Sequence, residues 1–249
     1  MLKVKNTPNN LGVEILGDLL DFEKLYEALH TIIGDEEQYP YYNLSRIRIL
    51  GLCYDIRHAI QGDYEYEFVE NGINSEILKV KGFIAPDKNL YLKIRVFWPE
   101  ILFILIVLND FIILHAKRNT KDYFDILTDR KNIWDDSIAQ VRLFQSVINN
   151  CIKDTIPEVT YKRMLGYITS KQHEFKGYLP HYIDFLNLKF IHMEKEIRLK
   201  NISIMARRIA EQGKEYEAMV DDLKNVAREH DCPVEHIQIN MEYPEDFEW

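Results

Sequence analysis

Residues 99–118 read PEILFILIVLNDFIILHAKR, and this stretch decides the fold. Apolar side chains fill nearly every angle of a helical wheel, interrupted only by Asn109 and Asp110. A helix that is apolar on all sides belongs inside something. Pro99 suits a first helical position, where no backbone N–H is required, and Glu100 suits the positive end of the helix dipole. Lys117 and Arg118 suit the other end. A membrane span is the competing reading. It needs about 20 mostly apolar residues, whereas the unbroken run here covers only Ile101 to Leu108. Asp110 at mid-depth would cost on the order of 3 kcal/mol in lipid. The stretch is read as a buried core helix, and no membrane association is expected.

The segments upstream supply a sheet to lay on that helix. LKVKN and GVEILGD flank the turn formers Thr7-Pro8-Asn9-Asn10 and read as two short strands. Asp18 or Asp21 can cap a helix running to Ile33 and ended by Gly34. DEEQYPYY (35–42) mixes acids with tyrosines and is expected to be exposed. Asn43 or Ser45 can cap a second helix, from about Leu44 to Ile60, closed by Gly62. Three segments then alternate with period two: YEYEFVENG (64–72), EILKVKGF (76–83) and LYLKIRVFW (90–98). With turn formers between them they predict a three-stranded antiparallel meander. Glu65 and Glu67 would face Lys79 and Lys81 on one side. Tyr64, Tyr66, Phe68, Leu78, Val80, Leu92, Ile94 and Val96 would pack on the central helix from the other.

The second half reads as helical. A polar connection with a short turn near Tyr123–Leu127 precedes a helix capped by Asp135 and reaching Ile152. Pro157 starts another, to about Ile168, and HYIDFLNLKFIHM (181–193) is apolar enough to be buried. A long helix is expected over 194–230, stopped by Cys232-Pro233, and VEHIQINME (234–242) reads as a last strand. The expected fold class is α+β: a small antiparallel sheet packed on a central buried helix, with a mainly helical C-terminal half. One domain over 1–249 is favoured. The weakest point for a subdivision lies near residue 119, separating a sheet-plus-helix part (1–118) from a helical part (119–249).

Composition narrows the function classes. Net charge is −9 over 249 residues, so nucleic-acid binding is not expected, because phosphate attraction supplies most non-specific affinity. Cys53, Cys151 and Cys232 are odd in number and not in metal-ligand spacing, which fits structural thiols in a reducing compartment. LKVKNTPNN after Met1 lacks the apolar core of a signal peptide, so a cytoplasmic location is expected. No Gly-rich phosphate loop, HExxH, GxSxG or CxxC is present, and no cofactor or metal is expected. Asp87-Lys88 and Lys93 have the flavour of a metal-dependent nuclease hairpin, but Tyr91 and Leu92 stand where the needed acid would precede that lysine.

Three groups of residues remain as candidates. On the helix 44–60, Arg48, Gly51, Asp55 and His58 fall on one line, and an Asp three residues before a His can tune it as a general base. This gives a hydrolase reading, including a nuclease, with Asp55 and His58 catalytic and Arg48 or Arg57 holding an anionic substrate. The plainer alternative is a solvated helix stripe. Asp110 within the apolar helix needs a partner such as Arg48, Arg57 or Lys117 and reads as a structural ion pair, with Asn109 a satisfied core amide. Finally, Ile202, Met205, Ile209, Gln212, Tyr216, Met219, Leu223 and Val226 alternate three and four along the last helix. That seam can join two chains as a homodimer or dock on its own core.

GDEEQYPYY, LGLCYDIRHAIQGD, FWPEILFILIVLNDFI, IWDDSIAQVRLFQ and RLKNISIMARRIAEQGKEYE together give the chain its resemblance to an uncharacterised bacterial family of about this length. The resemblance runs end to end and brings no activity, cofactor or catalytic residue with it. The leading functional expectation is a non-catalytic protein-interaction or regulatory module, with a protein partner or a second copy as its target. The aromatic-acidic segments 35–42 and 243–249 fit that expectation.

Overall fold

The computed structural model describes residues 1–82, 84–120, 129–169, 177–234, 237, 243–244 and 247–249. It opens with a hairpin of β1 (Lys3–Asn6) and β2 (Gly12–Gly17). The turn between them is held by Thr7, whose Oγ1 accepts from the backbone N–H groups of Leu11 and Gly12, each at 3.0 Å. Helix α1 (Leu19–Ile33) follows. Its N-terminus has a reciprocal cap between Asp18 and Asp21, and Gly34 ends it at φ 61°. Helix α2 (Asn43–Gln61) ends at Gly62 in the left-handed conformation. Neither Asn43 nor Ser45 caps α2: Tyr42 stands at the cap position and its side chain makes no capping bond to the helix, and Asn43 donates instead to Glu36.

Strand β3 (Glu65–Glu70), helix α3 (Ser75–Lys81) and strand β4 (Lys88–Phe97) come next. Here the expected meander is corrected, because its middle strand is a helix. Asn74 caps it, accepting from the backbone of Glu76 and Ile77, and Gly82 closes it at φ 66°. A cap and a left-handed glycine only eight residues apart outweigh the alternation in EILKVK. Strand β3 therefore pairs directly with β4, and β4 pairs with β2, giving the antiparallel order β1-β2-β4-β3. The ion-pair partners of Glu65 are Lys93 and Arg95 on β4, in place of the pairing expected with the middle strand.

The inner strands of this sheet carry its buried apolar residues, and Val4 of β1 packs against the core from one edge. Val13 and Ile15 face Val96 and Ile94 and are buried with them. Tyr66 and Phe68 on β3 are 62% and 65% exposed, and Val80 on α3 is exposed too, so the expected apolar face does not extend to the outer strand. Gly12 lets β2 and β4 meet closely: a Cβ there would stand 2.1 Å from the Val96 carbonyl oxygen.

Strand β4 runs directly into α4 (Trp98–Asn119), the expected central helix. Every residue from Ile101 to Leu108 is buried, with Ile104 at 1% exposure and Leu108 at 0%. By length and composition α4 could cross a bilayer, but 67% of its apolar stretch is covered by the rest of the chain. It touches α1, α6, α8, α9, β2 and β4, so both halves of the sequence contribute to its cover. Even the loop before α2 takes part. Tyr39 and Tyr42 pack edge-on against Phe111, with ring centroids 6.1 and 5.6 Å away, and only Tyr41 of that loop's tyrosines stays exposed.

The remaining cover comes from α5 (Arg130–Ile133), α6 (Asp136–Thr155), α7 (Glu158–Ile168), α8 (Leu179–Ile191), α9 (Lys195–Glu211) and α10 (Lys214–Glu229). Asp135 caps α6 as expected, accepting from the Ile138 N–H, and its other oxygen meets His115 Nε2 at 3.0 Å. The single long helix over 194–230 is corrected to two. Gln212 takes φ 45°, and Gly213 begins the next helix. Glu215, in the first turn of α10, receives Lys189 at 2.6 Å, Arg208 at 2.8 Å and the Tyr182 hydroxyl at 2.9 Å, which ties α10 to α8 and α9. The expected turn near 123–127 lies outside the described residues, and so does almost all of the expected strand 234–242.

The seam residues follow from that break. Ile202, Met205 and Ile209 have no exposed surface and belong to the chain's own core; Leu223 is buried, and Tyr216 and Met219 pack against the core from the side. Ile202, Met205 and Ile209 are closed to a second copy, because the apolar stripe of α9 is spent on α4 and α7. Met205→Glu is expected to destabilise the fold by about 4 kcal/mol or more, since it buries an unpaired charge. Met219→Glu should cost less than half as much. Urea denaturation followed by circular dichroism checks both.

Candidate functional site

Three residues on one line of α2, Arg48, Gly51 and Asp55, look into a cavity of about 660 Å³. Its other walls are the end of β4 (Arg95, Val96, Phe97), the start of α4 (Glu100, Ile104), Asn187 on α8, and Tyr243, Phe247 and Trp249. The stripe seen in the sequence is therefore not a solvated helix face. Gly51 keeps it open: a Cβ at that position would meet nothing within 4 Å.

Arg48 holds the floor together. Its Nε donates to both Glu100 oxygens at 2.7 and 2.9 Å, and its Nη2 reaches Glu100 again and Asp184 at 2.7 Å. Its Nη1 donates to the Pro180 carbonyl at 2.8 Å. Burial by itself would lower the Arg48 pKa, but the Glu100 and Asp184 carboxylates outweigh it and hold the guanidinium above its ordinary range. Asn187 adds a 3.1 Å bond from Nδ2 to Glu100. Glu100 thus does more than favour a helix dipole; it anchors the first turn of α4 to α2 and α8.

Asp55 stands apart from this network. It accepts the Tyr64 hydroxyl at 2.8 Å. Burial raises its pKa, and nearby Glu100 raises it further, against the opposing effects of Tyr64 and His58. Tyr64 is itself pushed up to about 12, by burial first and then by its bond to Asp55. On the neighbouring wall Arg95 is clamped between Glu65, at 2.7 and 2.8 Å, and Glu14, at 3.2 Å. Lys93 shares both of these acids.

The roof is aromatic. Trp249 stacks on Phe97 with centroids 4.8 Å apart and rings 18° from parallel, and Tyr243 lies nearly parallel to Phe97 at 5.9 Å. Phe247 tilts against Phe97 at 5.5 Å. The Trp249 carbonyl accepts from the Asn9 backbone at 3.3 Å, which holds this end of the chain near the hairpin turn.

The other expected site residues fall elsewhere. His58 turns to Asp63, with Nδ1 to Oδ2 at 2.9 Å, and its ring tilts against Tyr54 with centroids 4.2 Å apart; it does not line the cavity. Arg57 is exposed and lies over the Tyr54 ring. The Asp55–His58 pairing of the hydrolase reading is thus not formed. The three-residue step carries His58 past the cavity rim, where Asp63, just beyond the end of α2, takes it. Asn109 is satisfied as expected, accepting from Arg142 at 2.5 Å and Gln145 at 3.2 Å, but it is half-buried rather than central. Asp110 is also half-buried, and Arg48, one of its expected partners, is engaged with Glu100 and Asp184. Glu100, Asp184, Asn187 and Tyr243 were not singled out as site residues from the sequence. Only the double fitness of Glu100, as helix opener and as acid, hinted at a role.

The chain belongs to the family described as a domain of unknown function (DUF6904), whose profile matches residues 2–249. No curated protein matches it, and no solved structure does.

Two outcomes follow. Arg48→Met should cost roughly 3 kcal/mol by stranding buried carboxylates, and Glu100→Gln in the same chain should recover part of it, as a double-mutant cycle in urea would read. Asp55 has a folded pKa above its unfolded one, so its ionisation opposes folding as pH rises through the carboxylate range. Asp55→Asn keeps an acceptor for Tyr64 and should raise the melting temperature at pH 7, with the gain vanishing below about pH 4.

Proposed function

We propose that this chain is a non-catalytic binding module whose ligand site is the cavity between α2, the end of β4, α8 and the aromatic roof. The observation that carries this reading is the division of labour at the site. The two arginines that line the cavity are committed to carboxylates, while the walls offer open aromatic and aliphatic surface. A recognition pocket has that form: mostly apolar, with few polar groups placed to orient what enters. A regulatory role fits it, because a ligand seated there would touch elements from both halves of the sequence at once.

The hydrolase alternative has weaker support. It asks for a base beside a reacting group, and His58 is drawn away to Asp63. Cys53, the nearest thiol on α2, is buried behind the helix and pushed up to about 12 by that burial, which keeps it protonated.

A cavity-filling variant tests the binding reading. Gly51→Phe projects its ring into open space and replaces a weak helix former, so the fold should survive. The neutral fluorophore 1-aminoanthracene should bind the wild-type chain at one equivalent and brighten, and should bind Gly51→Phe at least about tenfold more weakly, a difference of about 1.4 kcal/mol. Equal binding to both chains, or none to the wild type, overturns the reading.

A further inference from the structure

The cavity carries an excess of acceptors. Asn187 is 2% exposed and lines it, yet its Oδ1 has no hydrogen-bond partner. The amide cannot be turned over to remove the deficit. Its Nδ2 donates to the Glu100 carboxylate, and exchanging the two atoms would set oxygen against oxygen. A buried acceptor left unpaired is costly, and this one lies beneath the cavity surface, out of a ligand's direct reach.

Asp55 is the second acceptor. Tyr64 occupies one of its oxygens, and among the described residues no cation lies within ion-pairing distance of it. The arginines cannot balance it. Arg48 already faces Glu100 and Asp184; Arg95 already faces Glu14 and Glu65. Of the ionic side chains that line the cavity, Arg48, Arg95 and Glu100 are paired, and Asp55 alone has no ion-pair partner among the described residues. The rings of Tyr54, Phe97, Tyr243, Phe247 and Trp249 complete the enclosure, and aromatic faces attract cations.

We infer that the cavity takes a cationic ligand, an ammonium group on a flat apolar body. Its N–H groups are received by the Asp55 carboxylate, and its body lies between the rings. An anionic ligand would meet the unpaired Asp55 carboxylate and two arginines already committed. A neutral apolar ligand would leave the Asp55 carboxylate without a counter-charge. This inference rests on the cavity being a binding site, and the test separates the two.

Isothermal titration of the full chain at pH 7 with three probes of one shape decides it: tryptamine, N-acetyltryptamine and indole-3-propionate. Tryptamine should bind at least about tenfold tighter than the neutral amide, the scale of a desolvated cation against carboxylate and ring faces. Indole-3-propionate should bind weakest. Asp55→Asn should remove most of the preference for tryptamine while leaving the amide's affinity unchanged, and Gly51→Phe should weaken all three. If the amide or the acid binds as tightly as tryptamine, the cationic class is overturned and the cavity remains a binding site. The same holds if none of the three binds while 1-aminoanthracene does. If 1-aminoanthracene fails as well, both readings fall.

Discussion

A helix with no polar face can be stable in water only when it is covered from every direction. That constraint, imposed by α4, organises the whole chain. The elements that touch it include β2 and β4 from the sheet and the helices α1, α6, α8 and α9, each with buried apolar residues. Each turns its polar side outward. The fused arrangement of sheet and helices is thus not two structures meeting by chance but one cover drawn from distant parts of the chain. The same demand explains why α9 keeps its stripe for this core, and why the tyrosines before α2 fold inward on Phe111.

Covering a cylinder with straight elements leaves a gap where they diverge, and here it opens beside the first turn of α4. The fold closes its floor with charge instead of apolar side chains. Arg48 links α2 to the α4 N-terminus through Glu100 and to α8 through Asp184 and Pro180. A network of this kind adds little net stability compared with well-packed aliphatic residues, but it fixes orientation. Asp55 goes further and opposes folding at neutral pH. A destabilising carboxylate, an unpaired buried amide oxygen and the bare backbone of Gly51 thus meet around one cavity.

Much of the architecture was legible because it is local. The central helix was readable from uninterrupted apolar character, and the ends of α1, α2 and α6 from Asp18, Gly34, Gly62 and Asp135, since caps act within three or four residues. The alignment of Arg48, Gly51 and Asp55 was also readable, because helical spacing alone sets it. The errors came where local signals competed. EILKVK alternates like a strand, yet Asn74 and Gly82 bracket it as a helix. The three-and-four alternation runs straight through Gln212-Gly213, so it does not report the break there, which Glu215 and its partners on α8 and α9 hold in place.

By itself the sequence determined that one helix must lie at the centre, that the fold is α+β, and which side chains share the α2 line. Tertiary structure alone decided which strand β4 would join, which acids Arg48 would meet and which way His58 would turn. Arg48 lies 52 residues from Glu100 and 136 from Asp184. No periodicity reports a pairing at that range, because periodicity describes the faces of an element, while partners are chosen by how the covered faces come together in space.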